Sequence, residues 1–284
     1  MVAAMMAQLE KPRVSVAPRL QRAVGNARVA LIRRDGTTRL RGLYQQGAAK
    51  VRFVGPAADQ AVLINTAGGL AEGDRFAWSV ALEAGARCSL TTQACEKVYR
   101  GRTEGPADPA EVRVTLEVGP GGRLDWLPQE TILFDCAGLK RELQADLAED
   151  AELLAVEAVI LGRRAMGERV SQVNLHDRWR VRRHGRPIFA DDLKLRGALA
   201  PFGEAEALLA RAGAFALVLL AASHAEQALD AVRAVLPFGA AASAFDGKLI
   251  CRILAVDGLA LRRALVPVLT VLRRGQALPR LWSV

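Results

Sequence analysis

Between Arg28 and Leu195 apolar residues return at every second position, in short runs broken by Gly, Asp, Asn and Pro. That spacing sends alternate side chains to opposite faces of an extended chain, so it marks half-buried strands. Clear cases are Arg28-Val-Ala-Leu-Ile-Arg, Phe76-Ala-Trp-Ser-Val-Ala-Leu and Glu111-Val-Arg-Val-Thr-Leu-Glu-Val. Within this region a degenerate unit of strand, turn and strand repeats. Val80 to Leu90 is one copy, Val114 to Leu124 a second, and Ala145 to Leu154 a third. The copies recur about every 30 residues, a period typical of stacked supersecondary units. Two architectures satisfy the pattern: a stacked or helical β arrangement with its core between layers, and a β-sandwich built from similar hairpins. The expected class is mainly β, a layered or helical β arrangement with a smaller C-terminal α/β segment.

From about Gly203 the texture changes. Glu204–Arg211 reads as a short helix and Phe215–Ala222 as a buried strand. His224–Leu236 has helical spacing and is closed by Pro237. Ala244–Val256 reads as two strands around an Asp246-Gly247 turn. Leu259–Arg274 reads as a helix that Pro267 should kink or divide. The organisation expected is a tail and strand lead-in over residues 1–27, a β-rich core over 28–200, and an α/β segment over 201–284 packed on that core.

Hydrophobic residues make up 51% of the 284 and aromatics only 5%, so the core rests on Val, Leu, Ile and Ala. The net charge is +9. Its clusters, Arg178–Arg186 and Arg262, Arg263, Arg273 and Arg274, lack interleaved aromatics, which speaks against nucleic acid and for an acidic protein partner. Cys88, Cys95, Cys136 and Cys251 form no CxxC pair and read as reduced thiols of a cytoplasmic protein. Residues 1–11 lack the basic and apolar regions of a signal peptide and read as a tail. No apolar run approaches the roughly 20 residues a helix needs to cross a bilayer.

The chain carries no GxxxxGK[ST] or GxGxxG phosphate cradle, no HExxH and no GxSxG. His176, His184 and His224 stand in turn, strand-edge or helix-start contexts, a poor start for an imidazole metal cage. No enzymatic activity is expected. What stands out is three blocks that set carboxylates and amides among apolar residues: Leu63–Asp74, Leu90–Arg100 and Trp126–Asp135. Polar groups in such surroundings must find partners or water. A structural hydrogen-bond network meets that need. So does a wet, oxygen-lined passage that holds a hard or borderline cation weakly.

These blocks resemble those of the UreD (UreH) urease accessory family. The matching text is Asn65-Thr-Ala-Gly-Gly-Leu-Ala-Glu-Gly-Asp74, Thr91-Thr-Gln-Ala-Cys-Glu-Lys-Val-Tyr-Arg100 and Leu127-Pro-Gln-Glu-Thr-Ile-Leu-Phe-Asp135, and Leu161–Glu168 resembles a fourth block. Cys95 stands where a small residue such as Ala is expected. The resemblance implies a β-rich, non-catalytic scaffold acting with UreF and the GTPase UreG on urease apoprotein, with any oligomer formed through that complex. It also implies a water-filled route for transient Ni²⁺ and no tightly bound cofactor. On this reading Glu72, Asp74, Glu96, Glu130, Asp135 and Glu168 are the candidate residues lining or supporting the route. The competing readings are a cupin-like β-scaffold metalloenzyme and a protein-binding module with no part in metal handling.

Overall fold

The computed structural model describes residues 21–101, 108–163, 166–200 and 209–283. Its strands are β1 (Val24–Arg34), β2 (Thr37–Gly47), β3 (Ala49–Phe53), β4 (Gln60–Asn65), β5 (Arg75–Leu82), β6 (Arg87–Thr92), β7 (Glu96–Val98), β8 (Ala110–Val118) and β9 (Arg123–Trp126). They continue with β10 (Thr131–Leu133), β11 (Ala137–Leu147), β12 (Glu152–Leu161), β13 (Gln172–Arg183), β14 (Arg186–Ala198), β15 (Ala214–Ala221), β16 (Ala240–Phe245) and β17 (Lys248–Ala255). Helices α1 (Leu229–Val235) and α2 (Gly258–Leu272) lie near the C-terminus.

Among the described residues the strands form two sheets. The first runs β14-β13-β11-β8-β5-β1-β2, and the main order of the second is β16-β17-β15-β12-β9-β6-β4-β3. From β5 to β13 the long strands alternate between the sheets, and successive passes stack in parallel. The layered, helical arrangement therefore holds. A hairpin-built sandwich would give antiparallel neighbours at the centre, and antiparallel pairing here is confined to the flanks.

The turns between sheets stack as well. Glu83, Gly119, Ala148 and His184 donate their backbone N–H to Leu31, Leu82, Val118 and Leu147 respectively, at 2.8–3.1 Å. Strand register pairs Val80 with Leu116 and Leu116 with Ala145. The middle copy of the repeat thus starts two residues later than the sequence comparison places it. A slip of two leaves every side chain on its original face, so alternation cannot detect it.

Two cores result. Leu153, Ala155, Val159 and Leu161 of β12 face the space between the sheets, with Leu82, Leu116, Leu143 and Trp179. Leu154, Val156 and Ala158 face outward against Leu261, Leu265, Val268 and Leu269 of α2. β15 pairs with β12, so the C-terminal strands continue the second sheet.

Helix α2 is continuous through Pro267 rather than divided there. The ring withholds an N–H from the carbonyl of Arg263, which is an exposed residue. The buried row at Leu261, Leu265, Val268, Leu269 and Leu272 holds the helix against the sheet on the other side. Of the candidate helix at 204–211, only 209–211 fall among the described residues, and they form a turn.

The C-terminal arginines are mostly not a free basic surface. Arg262 donates from Nε to Glu130 Oε1 at 2.9 Å, and Arg273 donates to Ser89 Oγ at 2.9 Å and to Asp125. Arg274 pairs with Glu152 at 2.7 Å. Eleven residues make about three helical turns, so Arg262 and Arg273 lie on one face and anchor both ends of α2 to the second sheet.

Candidate functional site

The motif blocks meet at one corner of the coil. Leu70 bridges to Val98, Arg100 bridges to Ala137, and β10 pairs in parallel with both β7 and β12. The approach is close enough to require glycine. Gly69 has φ +142°, and a Cβ there would lie 2.5 Å from the Tyr99 ring and 2.9 Å from the Lys97 carbonyl. Tyr99 Oη donates to the Gly68 carbonyl at 2.7 Å, and its ring meets Phe134 edge-on at 5.3 Å.

The six candidate carboxylates fall into different settings. Asp74 is buried and clamps a turn, accepting from the N–H groups of Ala23 and Ala71 at 2.8 Å each. Glu72 accepts from the Asp108 N–H at 3.2 Å. Glu130 is buried on the α2 side, held by Arg262 and by the Cys95 thiol at 3.4 Å. Burial and that carboxylate push the Cys95 thiol up to about 11.

Asp135 and Glu168 do come together. The Asp135 N–H donates to Glu168 Oε1 at 3.4 Å, while Arg163 Nε reaches Glu168 Oε2 at 2.9 Å. Asp135 Oδ1 accepts from Ser171 N and Oγ and from Gln172 N at 2.7–3.1 Å, and Oδ2 pairs with Arg100 at 2.9 Å. Burial opposes ionisation of Asp135, but the donors from Gln172 and Ser171 outweigh it and hold the carboxyl well below its ordinary value. Such a group stabilises the fold above the unfolded carboxyl pKa of about 4, and that contribution fades as pH falls below it. Asp135→Asn is therefore expected to unfold more readily than wild type at neutral pH, with the difference narrowing below about pH 4. Urea midpoints across pH 3–7 check this.

Glu96 differs from the others. Among the described residues it has no cationic side-chain partner; Asn65 Nδ2 lies 3.2 Å from each oxygen, and the Lys97 backbone N–H also donates to the carboxyl. Burial pushes its carboxyl up to about 7, against the lowering effect of Asn65 and of the Lys97 backbone donor. Glu96 also stands in a wall shared by two spaces. An outer cleft of about 310 Å³ is lined by Asn65, Gly69, Gln93, Cys95 and Lys97. An inner cavity of about 50 Å³ is lined by Gln129, Thr131, Arg141 and Glu157. Leu63, Trp78, Thr92 and Glu96 border both. The inner space has room for a few waters; Leu70, Phe76, Val112, Val114 and Leu139 make most of its wall apolar, and Gln129, Thr131, Arg141 and Glu157 give such waters polar partners on one part of it.

The motif blocks do not disclose the charged cluster at the inner cavity. Arg141 Nε donates to Asp177 Oδ1 at 3.1 Å, and its NH1 group donates to Thr131 at 3.1 Å and to Glu157. Trp126 Nε1 donates to Glu157 at 3.0 Å. Burial, aided by Asp177, pushes Glu157 up despite the adjacent guanidinium. The signal is present in the sequence: Arg141 and Asp177 each occupy an inward phase otherwise filled by Leu139, Leu143, Leu175 and Trp179.

No group of three or more His, Cys, Asp or Glu is placed to hold a metal ion among the described residues. The histidines lie apart, His176 with Asp192, His184 with Glu149 and His224 with Arg274 and Glu152. No described helix is long and apolar enough to cross a membrane.

The family model described as "UreD urease accessory protein" matches residues 23–283. A urease accessory protein UreD of Rhizobium leguminosarum bv. viciae is 49% identical over 274 residues, covering 95% of this chain and 99% of that protein. The protein of the same name from Rhizobium etli is 50% identical over 275 residues, covering 95% and 99%. That from Mesorhizobium japonicum is 48% identical over 277 residues, covering 94% and 96%.

Proposed function

Because this chain belongs to the UreD urease accessory protein family, we propose that it is a cytoplasmic, non-catalytic scaffold that passes Ni²⁺ toward urease apoprotein in complex with UreF and UreG. The observation that carries this reading is the position of Glu96, between an outer cleft and a mostly apolar inner cavity to which Gln129, Thr131 and Glu157 contribute oxygens. A carriage route needs donors along its length but not a closed shell, because a closed shell of oxygen and nitrogen ligands would retain the ion. Glu96 supplies such a donor between the two spaces, and Thr92, Gln129, Thr131 and Glu157, whose oxygens also accept from the Gln129 N–H, Arg262, Arg141 and Trp126, add further oxygens along it. Arg141, in the same cavity, opposes long residence of a dication.

The alternative of a binding module with no part in metal handling draws on Asp74, Glu130, Asp135 and Glu168, whose oxygens are engaged by the chain's own donors. One experiment separates the two. In cells expressing the urease genes, deletion of this chain is expected to leave urease assembled but poor in nickel, and the intact chain is expected to co-purify with UreF. Full nickel content in urease from the deletion strain would overturn the scaffold reading.

A further inference from the structure

A pocket of about 320 Å³ opens on the α2 side of the second sheet, where β6 and β9 begin and α2 ends. It is separate from the spaces at Glu96. β6 carries Arg87 and Ser89 at this pocket and Thr92 at the inner cavity, and the strand from Arg87 to Thr92 spans about 17 Å. Strand register lays out the wall. Arg87 stands beside Arg123, with Glu152 beyond, and Gln60, Ser89 and Asp125 make the next row. Arg273 closes over this surface from the end of α2. Ser89, Arg123, Asp125 and Arg273 are buried, whereas Asp59 and Arg87 are exposed at the mouth.

A guanidinium carries five N–H bonds, all of them donors. Arg123 donates to Asp125 at 3.1 Å, to Glu152 at 2.9 Å and to the Leu272 carbonyl at 3.3 Å. Arg273 donates to Ser89 at 2.9 Å, to Asp125, and to the Gln276 and Ala277 carbonyls at 3.4 and 3.0 Å. Among the described residues, two N–H bonds of Arg123 and one of Arg273 thus lack an acceptor. Buried donors need one. Arg87 adds a whole guanidinium. Its backbone is fixed by the buried Thr38 hydroxyl, which accepts from its N–H at 3.0 Å and donates to its carbonyl at 2.9 Å. Its side chain has no acceptor among the described residues. Like charges side by side on neighbouring strands repel, so Arg87 beside Arg123 is unfavourable unless an anion lies between them.

We propose that this pocket binds a small hydroxycarboxylate, with its carboxylate bridging Arg87 and Arg123. Charge selects a single negative unit, because Arg87, Arg123 and Arg273 line the pocket against Asp59 and Asp125. A carboxylate answers two guanidinium groups with its two oxygens. A dianion such as phosphate brings a second charge that the aspartates repel, and a zwitterion leaves the surplus cation unmatched. The volume holds roughly ten waters, so a ligand of up to about ten non-hydrogen atoms fits. Beyond the carboxylate it meets the side-chain amides of Gln60 and Gln276, and only Val54 and Cys88 in the lining are apolar. A hydroxyl suits that lining better than a hydrocarbon tail. Burial, aided by Asp59 and Asp125, pushes the Cys88 thiol up, so no thiolate competes with the ligand.

The test is a titration of the purified full chain with L-lactate over about 0.1–50 mM, read by ligand-detected saturation-transfer NMR, a range suited to a ligand of so few atoms. L-lactamide, which keeps the shape and lacks the charge, is titrated beside it, and inorganic phosphate is added as a competitor. Wild type is expected to bind L-lactate with a Kd of about 1–10 mM and lactamide at least about tenfold more weakly. Equimolar phosphate is expected to displace less than half of the bound lactate. Arg87→Ala is expected to weaken lactate binding about tenfold, the loss of a charge-assisted bond. Its melting temperature without lactate should match wild type, because the Arg87 guanidinium holds nothing else in the chain. Failure of lactate to saturate the full chain overturns the proposal and leaves the pocket to water. Equal binding of lactamide, tighter binding of phosphate, or a folded Arg87→Ala variant that binds lactate as wild type does overturns it as well.

Discussion

Arg141→Met is expected to lower the folding free energy by about 3–5 kcal/mol, the usual cost of removing one partner from a buried ion cluster. Arg141 is 4% exposed and serves Asp177, Glu157 and Thr131 at once. Methionine fills much of the same volume, so cavity formation adds little and the loss reports the charges. Two carboxyl groups then remain buried with a reduced set of donors. Asp177 keeps none of the guanidinium bonds, and Glu157 keeps Trp126. For a chain of this size the loss is equivalent to a fall in Tm on the order of 10 °C. Urea unfolding measures it, and a double-mutant cycle with Asp177→Asn should return coupling above about 1 kcal/mol, since the groups touch. A loss below about 1 kcal/mol would show that the cluster is solvated rather than buried.

The cluster also shows how far sequence reaches into this fold. Alternation assigns Arg141 and Asp177 to inward faces, and Glu157 is the one charge inside the apolar run Leu153–Leu161. What alternation lacks is register. That Arg141 stands beside Asp177 follows from the pairing of β11 with β13, and that Glu157 meets them depends on how one sheet lies over the other. The same limit accounts for the two-residue displacement of the middle repeat. It also accounts for the basic residues of α2. Their spacing in the chain shows a cationic cluster, but only the sheet beneath the helix shows that Arg262 and Arg273 meet Glu130 and Asp125.

The mainly β class and its layered winding were legible because a coil repeats its turn chemistry. Residues 83–86, 119–122 and 148–151 are all four-residue connections between a strand of the first sheet and a strand of the second. The motif blocks were legible as polar text in an apolar frame. Their division of labour was not, because an aspartate that clamps a turn and a glutamate that borders a cavity look alike in one dimension. Asp74 and Asp135 sit next to glycine, serine or loop backbone whose N–H groups they accept, a role common for Asp at turns. Glu96 lies on a short strand, with a longer side chain directed at a space.

Glu96→Leu is expected to have the largest functional effect. Leucine keeps the bulk of the side chain and removes both oxygens, so the wall between cleft and cavity becomes apolar at that point. Asn65 retains its bond to the Gly69 carbonyl at 3.0 Å, so the loop keeps its shape. Glu96→Gln keeps an oxygen and the volume but loses the charge, and should fall between wild type and Glu96→Leu. Asp135→Asn serves as the comparison, because that carboxylate secures Ser171 and Gln172 rather than bordering the cavity.

Nickel bound per urease active site, measured by atomic emission on urease matured with each variant, tests the account most directly. Glu96→Leu should assemble with UreF and urease at wild-type yield while nickel falls about tenfold, the scale of loss typical when a group supporting a metal centre is removed. Wild-type nickel in urease matured with a fully assembled Glu96→Leu complex would contradict the account.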